Sequence, residues 1–125
     1  MFGTFQQSHL RIEVAASEHA LRESLVNPEK LQQWSLLRPE SLGDRLQSGA
    51  TFMSTIGFIS IQHTVDAVEA NRLRFLLSQG IDGVHEWQWG EGWVQSRLEG
   101  VSLLPLNLGQ TLSLVQLRQF LVSHS

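Results

Sequence analysis

The sequence predicts an α+β protein in which a curved antiparallel sheet wraps a long C-terminal helix. Three observations carry that expectation. Gly83–Gly100, GVHEWQWGEGWVQSRLEG, alternates apolar and polar residues on both sides of an acid–glycine pair, the signature of a β-hairpin. Three further runs between Ala50 and Ser78 keep the same period of two. From about Leu108 the apolar spacing changes to that of a helix.

Residues 1–7 read as a loose lead-in. In His9–Ala15 the apolar Leu10, Ile12 and Val14 alternate with Arg11 and Glu13, which predicts a half-buried strand. Ser17 suits a helix N-cap and Glu18 its first turn, so Glu18–Val26 is a short helix with Leu21 and Leu25 on one face. Asn27 caps a second helix. Pro28 fits its first position, where the missing N–H has no partner to lose. Leu31 and Trp34 are its apolar residues, and Pro39 ends the helical region.

Ser41–Gln47 reads as a weaker strand at a sheet edge, followed by a turn at Ser48-Gly49. Ala50–Ile56 and Ile59–Val68 pair through a two-residue turn at Gly57-Phe58, which sets Phe52 opposite His63 and Ser54 opposite Ile61. Glu69-Ala70-Asn71 is a three-residue loop, with Asn71 suited to a left-handed conformation. Arg72–Ser78 adds Leu73, Phe75 and Leu77 to the same face, and Gln79–Asp82 leads into the hairpin. A primed turn at Glu91-Gly92 places Trp89 opposite Val94, Trp87 opposite Ser96 and His85 opposite Leu98. On the other face Glu86 meets Arg97, an ion pair of about 0.2–1 kcal/mol. Pro105 argues against a strand interior. In the last helix Leu108, Leu112 and Val115 form one apolar row. Leu114, Leu117 and Leu121 form another, widened by Phe120, while Gln110, Gln116, Arg118 and Gln119 lie mostly on the far side. Such a helix is marginal alone in water and must pack on the sheet.

Composition narrows the function classes. The chain has 125 residues, 42% of them apolar, which suits one domain with a real core, and no apolar run spans a bilayer. The net charge is −3 and the basic residues are scattered, so neither nucleic acid nor an anionic membrane is an expected partner. No cysteine is present, which excludes disulfides, thiolate catalysis and cysteine-ligated metals. Met1–His9 lacks the charged and apolar regions of a signal peptide, so a cytoplasmic protein is expected. Neither a phosphate-binding glycine loop nor a nucleophile elbow occurs, and no cofactor is expected.

The candidate site follows from the shared sheet face. His63 and His85 are its two imidazoles, each suited to proton transfer or hydrogen bonding. The bland alternative is a buried neutral ring satisfied by a carbonyl or a serine. Trp87 and Trp89 are either core or cavity lining. Phe52, Ser54, Ile61, Val65 and Phe75 continue the face on one side, and Ser96 and Leu98 on the other. Leu112 and Val115 of the helix would cover it. A mostly apolar surface with few polar groups suits a small apolar or aromatic ligand. Two histidines on separate strands, without a carboxylate on their face, do not make a metal site. Trp34 reads as packing between the second helix and the sheet. Trp93 reads as a surface or oligomer contact, which leaves a homodimer open.

The strand-to-helix segment IEVAASEHALRESL, the helix pair closing on NPEKLQQW, the hairpin HEWQWGEGWVQSRLEG and the terminal TLSLVQLRQFL together resemble the SRPBCC superfamily. That superfamily is also called START-like or Bet v 1-like, and the likeness is to its polyketide cyclase/dehydrase branch. The resemblance covers nearly the whole chain and consists of hydrophobic and turn patterns, without a catalytic signature. It implies the helix-grip fold: a strand, two short helices, about six antiparallel strands and a long helix, with a cavity between helix and sheet. It also implies apolar ligands such as lipids, sterols, polyketides or plant hormones. The short chain argues against a very large pocket, and tyrosine, a common cavity hydroxyl in the family, is absent. Three functions follow: a small-molecule carrier or sensor, a polyketide cyclase/dehydratase-like enzyme using His63 or His85 as general acid/base, or a ligand-free interaction protein with a filled interior. The candidates lack a second group to orient either histidine, which favours binding over catalysis.

Overall fold

The computed structural model describes residues 3–35, 45–56, 59–102 and 105–123. The alternating runs become six strands: β1 (Thr4–Glu13), β2 (Thr51–Ile56), β3 (Ile59–Val68), β4 (Arg72–Gln79), β5 (Ile81–Gly90) and β6 (Trp93–Ser102). They form one antiparallel sheet in the order β1-β6-β5-β4-β3-β2. Helices α1 (Glu18–Val26) and α2 (Pro28–Trp34) follow β1, and α3 (Leu106–Ser123) follows β6. Ser17 Oγ caps α1 by accepting from the Ala20 N–H, and Asn27 Oδ1 caps α2 by accepting from Glu29 and Lys30, as the sequence predicts.

The expected register holds in both hairpins. Phe52 meets His63, Ser54 meets Ile61 and Ile56 meets Ile59; the expected turn at Gly57-Phe58 lies outside the described residues. Trp89 meets Val94, Trp87 meets Ser96 and His85 meets Leu98. One face of the sheet is therefore apolar and buried, with Phe75, Trp87, Trp89 and Val94 each at most 3% exposed. A bulge between Val65 and Ala67 shifts the β3–β4 register. It lets both Val65 and Val68 pack on the core with Asp66 outward.

Several local expectations are corrected. β1 starts at Thr4, inside the expected lead-in, because it pairs with β6 along its full length from Thr4–Ser102 to Glu13–Trp93. Backbone pairing at an edge does not need apolar side chains, so the polar stretch gave no hydrophobic signal. Of the expected strand Ser41–Gln47, residues 41–44 lie outside the described residues, and Arg45–Gln47 is a loop. There Leu46 is buried and its N–H donates to Val26 O at 2.9 Å. β5 begins at Ile81, within the expected connection. At this end Gln79 stays paired with Ile61 of β3 while Ile81 pairs with Ser102 of β6. The first β4–β5 partners are Leu77 and Gly83, so the two strands splay apart around Gln79, whose φ is 73°.

The Glu91-Gly92 turn is not a primed one, since Gly92 has positive φ (76°) and Glu91 does not. Gly92 is instead stitched to the end of β1: its N–H donates to Ala16 O and its carbonyl accepts from Val14 N–H. Glu91 Oε1 accepts from the Glu18 N–H at the start of α1. Glu86 and Arg97 are register partners but not an ion pair. Glu86 Oε1 takes Arg72 Nε at 2.9 Å, and Arg97 Nη2 takes Glu99 Oε1 at 2.7 Å. Arg72 is the diagonal neighbour across β4–β5, and Glu99 lies two residues along the same face of β6.

Asn71 closes the expected three-residue loop without a left-handed φ, which among described non-glycine residues only Gln79 adopts. Its side chain has a different use. Asn71 Nδ2 donates to Glu18 Oε1 (2.6 Å) and to Trp89 O (3.0 Å), while its carbonyl accepts from the Trp89 N–H (3.2 Å). One amide thus ties the β3–β4 loop to α1 and to β5. Asn71→Ala is expected to lower stability by about 2 kcal/mol, from side-chain hydrogen bonds each worth about 1 kcal/mol. An unchanged urea midpoint would show that these ties carry no weight.

Candidate functional site

The last helix decides where the site lies. α3 buries Leu106, Gln110, Leu114, Leu117, Phe120 and Leu121. The expected inner row of Leu108, Leu112 and Val115 is instead 66%, 52% and 44% exposed, and Gln110, expected outside, is 1% exposed. α3 packs on β1 and β6 at one side of the sheet and on α1 and α2. The other side of the sheet face is left partly uncovered.

A cavity of about 360 Å³ fills that gap. Its floor is Ser54 of β2, Ile61 and His63 of β3, Leu77 of β4, Ile81, His85 and Trp87 of β5, and Leu98 of β6. Leu31 and Trp34 close it from α2. Leu106, Leu108, Gln110, Leu112, Ser113 and Gln116 of α3 form the remaining wall. Among the described residues no charged side chain lines it. The exposure of Leu108 and Leu112 is in part exposure at this cavity.

The structure brings Ser54, Ile61, His63, His85, Trp87, Leu98 and Leu112 together at the cavity. It does not bring the other expected residues there. Phe52, Val65, Phe75 and Trp89 are buried behind the lining, Ser96 is sealed at 0% exposure, and Val115 faces outward. Among the lining residues that sequence reasoning missed are Leu31, Trp34, Leu77 and Ile81, and Leu106, Leu108, Gln110, Ser113 and Gln116 of α3. Leu77 carried the right periodicity. Gln110 carried no signal that hydrophobic spacing could detect. Trp34 packs between α2 and the sheet as expected, edge-on to Trp87 at 6.0 Å, with its indole N–H donated to Ser24 O at 2.7 Å. Trp93, expected as a surface or oligomer contact, has Arg11 over its ring at 4.2 Å and lies against Gly90.

Each histidine is paired with a serine. His63 Nε2 lies 3.0 Å from Ser54 Oγ, and the ring stacks parallel to Phe52 and edge-on to Phe75. Its Nδ1 is buried without a hydrogen-bond partner among the described residues. His85 Nε2 lies 2.8 Å from Ser96 Oγ, with Trp87 against the ring at 4.9 Å. Burial penalises the imidazolium and lowers the His63 pKa to about 4. Burial, and then the nearby His63, lowers that of His85 to about 3. Both rings are neutral near pH 7. Among the described residues no group of three or more His, Asp or Glu is placed to hold a metal ion. No helix among them is long and apolar enough to cross a membrane.

No protein-family model matches the chain, and a search of curated proteins finds no match. Solved structures do match. DynU16, a protein of the dynemicin biosynthetic locus, is 19% identical with a TM-score of 0.72, over 95% of this chain and 48% of its own. The chain thus spans about half the length of that protein. An AHSA1-like protein from Aeromonas hydrophila is 16% identical with a TM-score of 0.70, covering 95% of this chain and 94% of its own. The major latex-like protein 151 of Panax ginseng is 10% identical with a TM-score of 0.69, covering 98% of each chain. With a six-stranded antiparallel sheet and a long C-terminal helix, the fold is the Bet v 1-like helix-grip fold.

The two buried rings set a pH dependence. Below the ordinary histidine value of 6.5, the unfolded chain takes up protons that the folded protein refuses until pH about 4 and about 3. Their contribution to stability is full above pH 6.5 and is lost as pH falls through that window. The expected slope is about 1.4 kcal/mol per pH unit for each histidine. Urea unfolding at a series of pH values between neutrality and mild acid measures it, and His63→Leu should remove about half of it. A flat profile would show that the rings are not held neutral.

Proposed function

We propose that the chain is a binding protein that holds a small apolar or aromatic molecule between the sheet and α3. The observation that carries this is the cavity of about 360 Å³, walled by apolar side chains and interrupted by a few neutral polar groups. That volume lies within the range of small-molecule sites, about 300–1,000 Å³. It supports an occupied cavity over an interior filled by the protein's own side chains. The helix-grip architecture shared with the ginseng and DynU16 structures is in keeping with it.

The enzyme alternative, a cyclase- or dehydratase-like reaction through His63 or His85, is less well supported. A general acid or base works best with a pKa near the operating pH, and burial takes both rings far below it. Among the described residues neither ring has a carboxylate partner, and each is hydrogen-bonded to a serine.

The test uses Ser113, which lines the cavity from α3 and takes no part in the histidine hydrogen bonds. Ser113→Phe should abolish binding of a fluorescent apolar probe while stability stays within about 1 kcal/mol, because the new ring enters open space. Mass spectrometry of apolar molecules released from the purified protein would identify the natural occupant. Absence of probe binding in the unmutated protein, with Ser113→Phe destabilising by about 1–3 kcal/mol as overpacking does, would remove the binding function.

A further inference from the structure

A chain of hydrogen bonds enters the protein between α3 and β1 and ends on His85, and its direction is fixed. Asn107 Nδ2 donates to Ser8 Oγ at 3.0 Å, and Ser8 Oγ donates to Gln110 Oε1. Gln110 Nε2 faces Ser8 O (3.2 Å), Ser96 O (2.8 Å) and Ser96 Oγ (3.0 Å). Two backbone carbonyls accept at this position, so it must be the amide nitrogen. Ser96 is 0% exposed, and a hydroxyl proton sealed from water without an acceptor carries the cost of an unmet buried donor. Its recorded partners are Gln110 Nε2, which cannot accept, and His85 Nε2 at 2.8 Å. The Ser96 proton therefore goes to His85 Nε2.

A neutral imidazole with an accepting Nε2 carries its proton on Nδ1. No hydrogen bond to His85 Nδ1 is made by the described residues, and His85 lines the cavity. His63 is not fixed in this way. Ser54 lines the cavity where Ser96 is sealed, so its hydroxyl proton can turn to His63 Nε2 or to the cavity, and either tautomer closes that pair.

We propose that the cavity selects uncharged ligands bearing a hydrogen-bond acceptor such as a carbonyl oxygen, which His85 Nδ1–H binds, and that Gln110 and Ser96 are the positioning residues that hold His85 in this tautomer. It rests on the ligand-cavity reading above. Among the described residues no charged side chain lines the cavity to serve a carboxylate as counter-ion, so fatty-acid-like anions are disfavoured.

Two measurements test it. ¹⁵N NMR of the histidine rings in the unmutated protein reads the tautomer directly, with His63→Leu assigning the signals. The Nδ1–H form of His85 is expected, and the Nε2–H form would overturn the inference. Binding of 2-acetylnaphthalene is then compared with 2-isopropenylnaphthalene, in which a methylene replaces the carbonyl oxygen, and with 2-naphthoate. The ketone should bind about tenfold more tightly than either. Ser96→Ala should erase the preference of ketone over hydrocarbon; a retained preference counts against the role of Ser96. Equal affinity of ketone and hydrocarbon for the unmutated protein overturns the inference and leaves the cavity reading intact. Binding of none of the three, nor of the fluorescent apolar probe, removes both.

Discussion

One buried amide sets the position of the last helix. Gln110 sits where an apolar contact would be expected, and its nitrogen holds backbone carbonyls of both β1 and β6. A buried amide left without partners costs more than its hydrogen bonds contribute when made, so the helix is confined to the one place that satisfies it. Leu114, Leu117 and Leu121 then fill the space toward the end of the helix. Toward its start the helix lies over β1 and β6 and leaves Ile61, His63 and Leu77 without a cover from α3. The cavity is what remains when a helix is fastened to one side of a curved sheet.

The polar half of β1 does the fastening. Gln6 Oε1 accepts from the Leu106 N–H at the start of α3, and its Nε2 donates to Ser102 O. Ser8 joins Asn107 to Gln110, and farther along Arg118 Nη2 donates to Glu13 O. Gln6 and Ser8 alternate along the strand on its inner face, the period of two expressed in hydrogen bonds rather than in hydrophobicity.

That difference explains what could be read in advance. Strand pairing between Ala50 and Gly100 was legible because apolar residues recur every second position and turn lengths fix the partners, as at Phe52–His63 and Trp87–Ser96. Both helix caps were legible because Ser17, Asn27 and Pro28 have few other uses in their positions. The face of α3 was not. Both of its rows are apolar, and the choice between them is made by where Gln110 finds carbonyls, a fact about β1 and β6. The start of β1 and the side-chain ties of Asn71 were hidden for the same reason. At the site, the cavity histidines were placed on the right face by alternation alone. Their separation from Phe75 and Trp89, which share that face but lie behind the lining, depends on the tilt of a helix that the pattern of β5 does not contain.

The pairing of β1 with β6 also has a consequence for how the molecule is made. β1 is synthesised before α1, α2 and β2–β5, and the strand it joins comes after all of them. The β2–β3, β3–β4, β4–β5 and β5–β6 pairs are neighbours in the chain and can close as they emerge from the ribosome. β1 must wait, and with it the attachment of α3, which depends on both. Contacts between distant segments form late because loop-closure entropy must be overcome first. The helix that completes the cavity is thus the last element to be joined, and a nascent chain holds an uncovered apolar sheet face until it arrives.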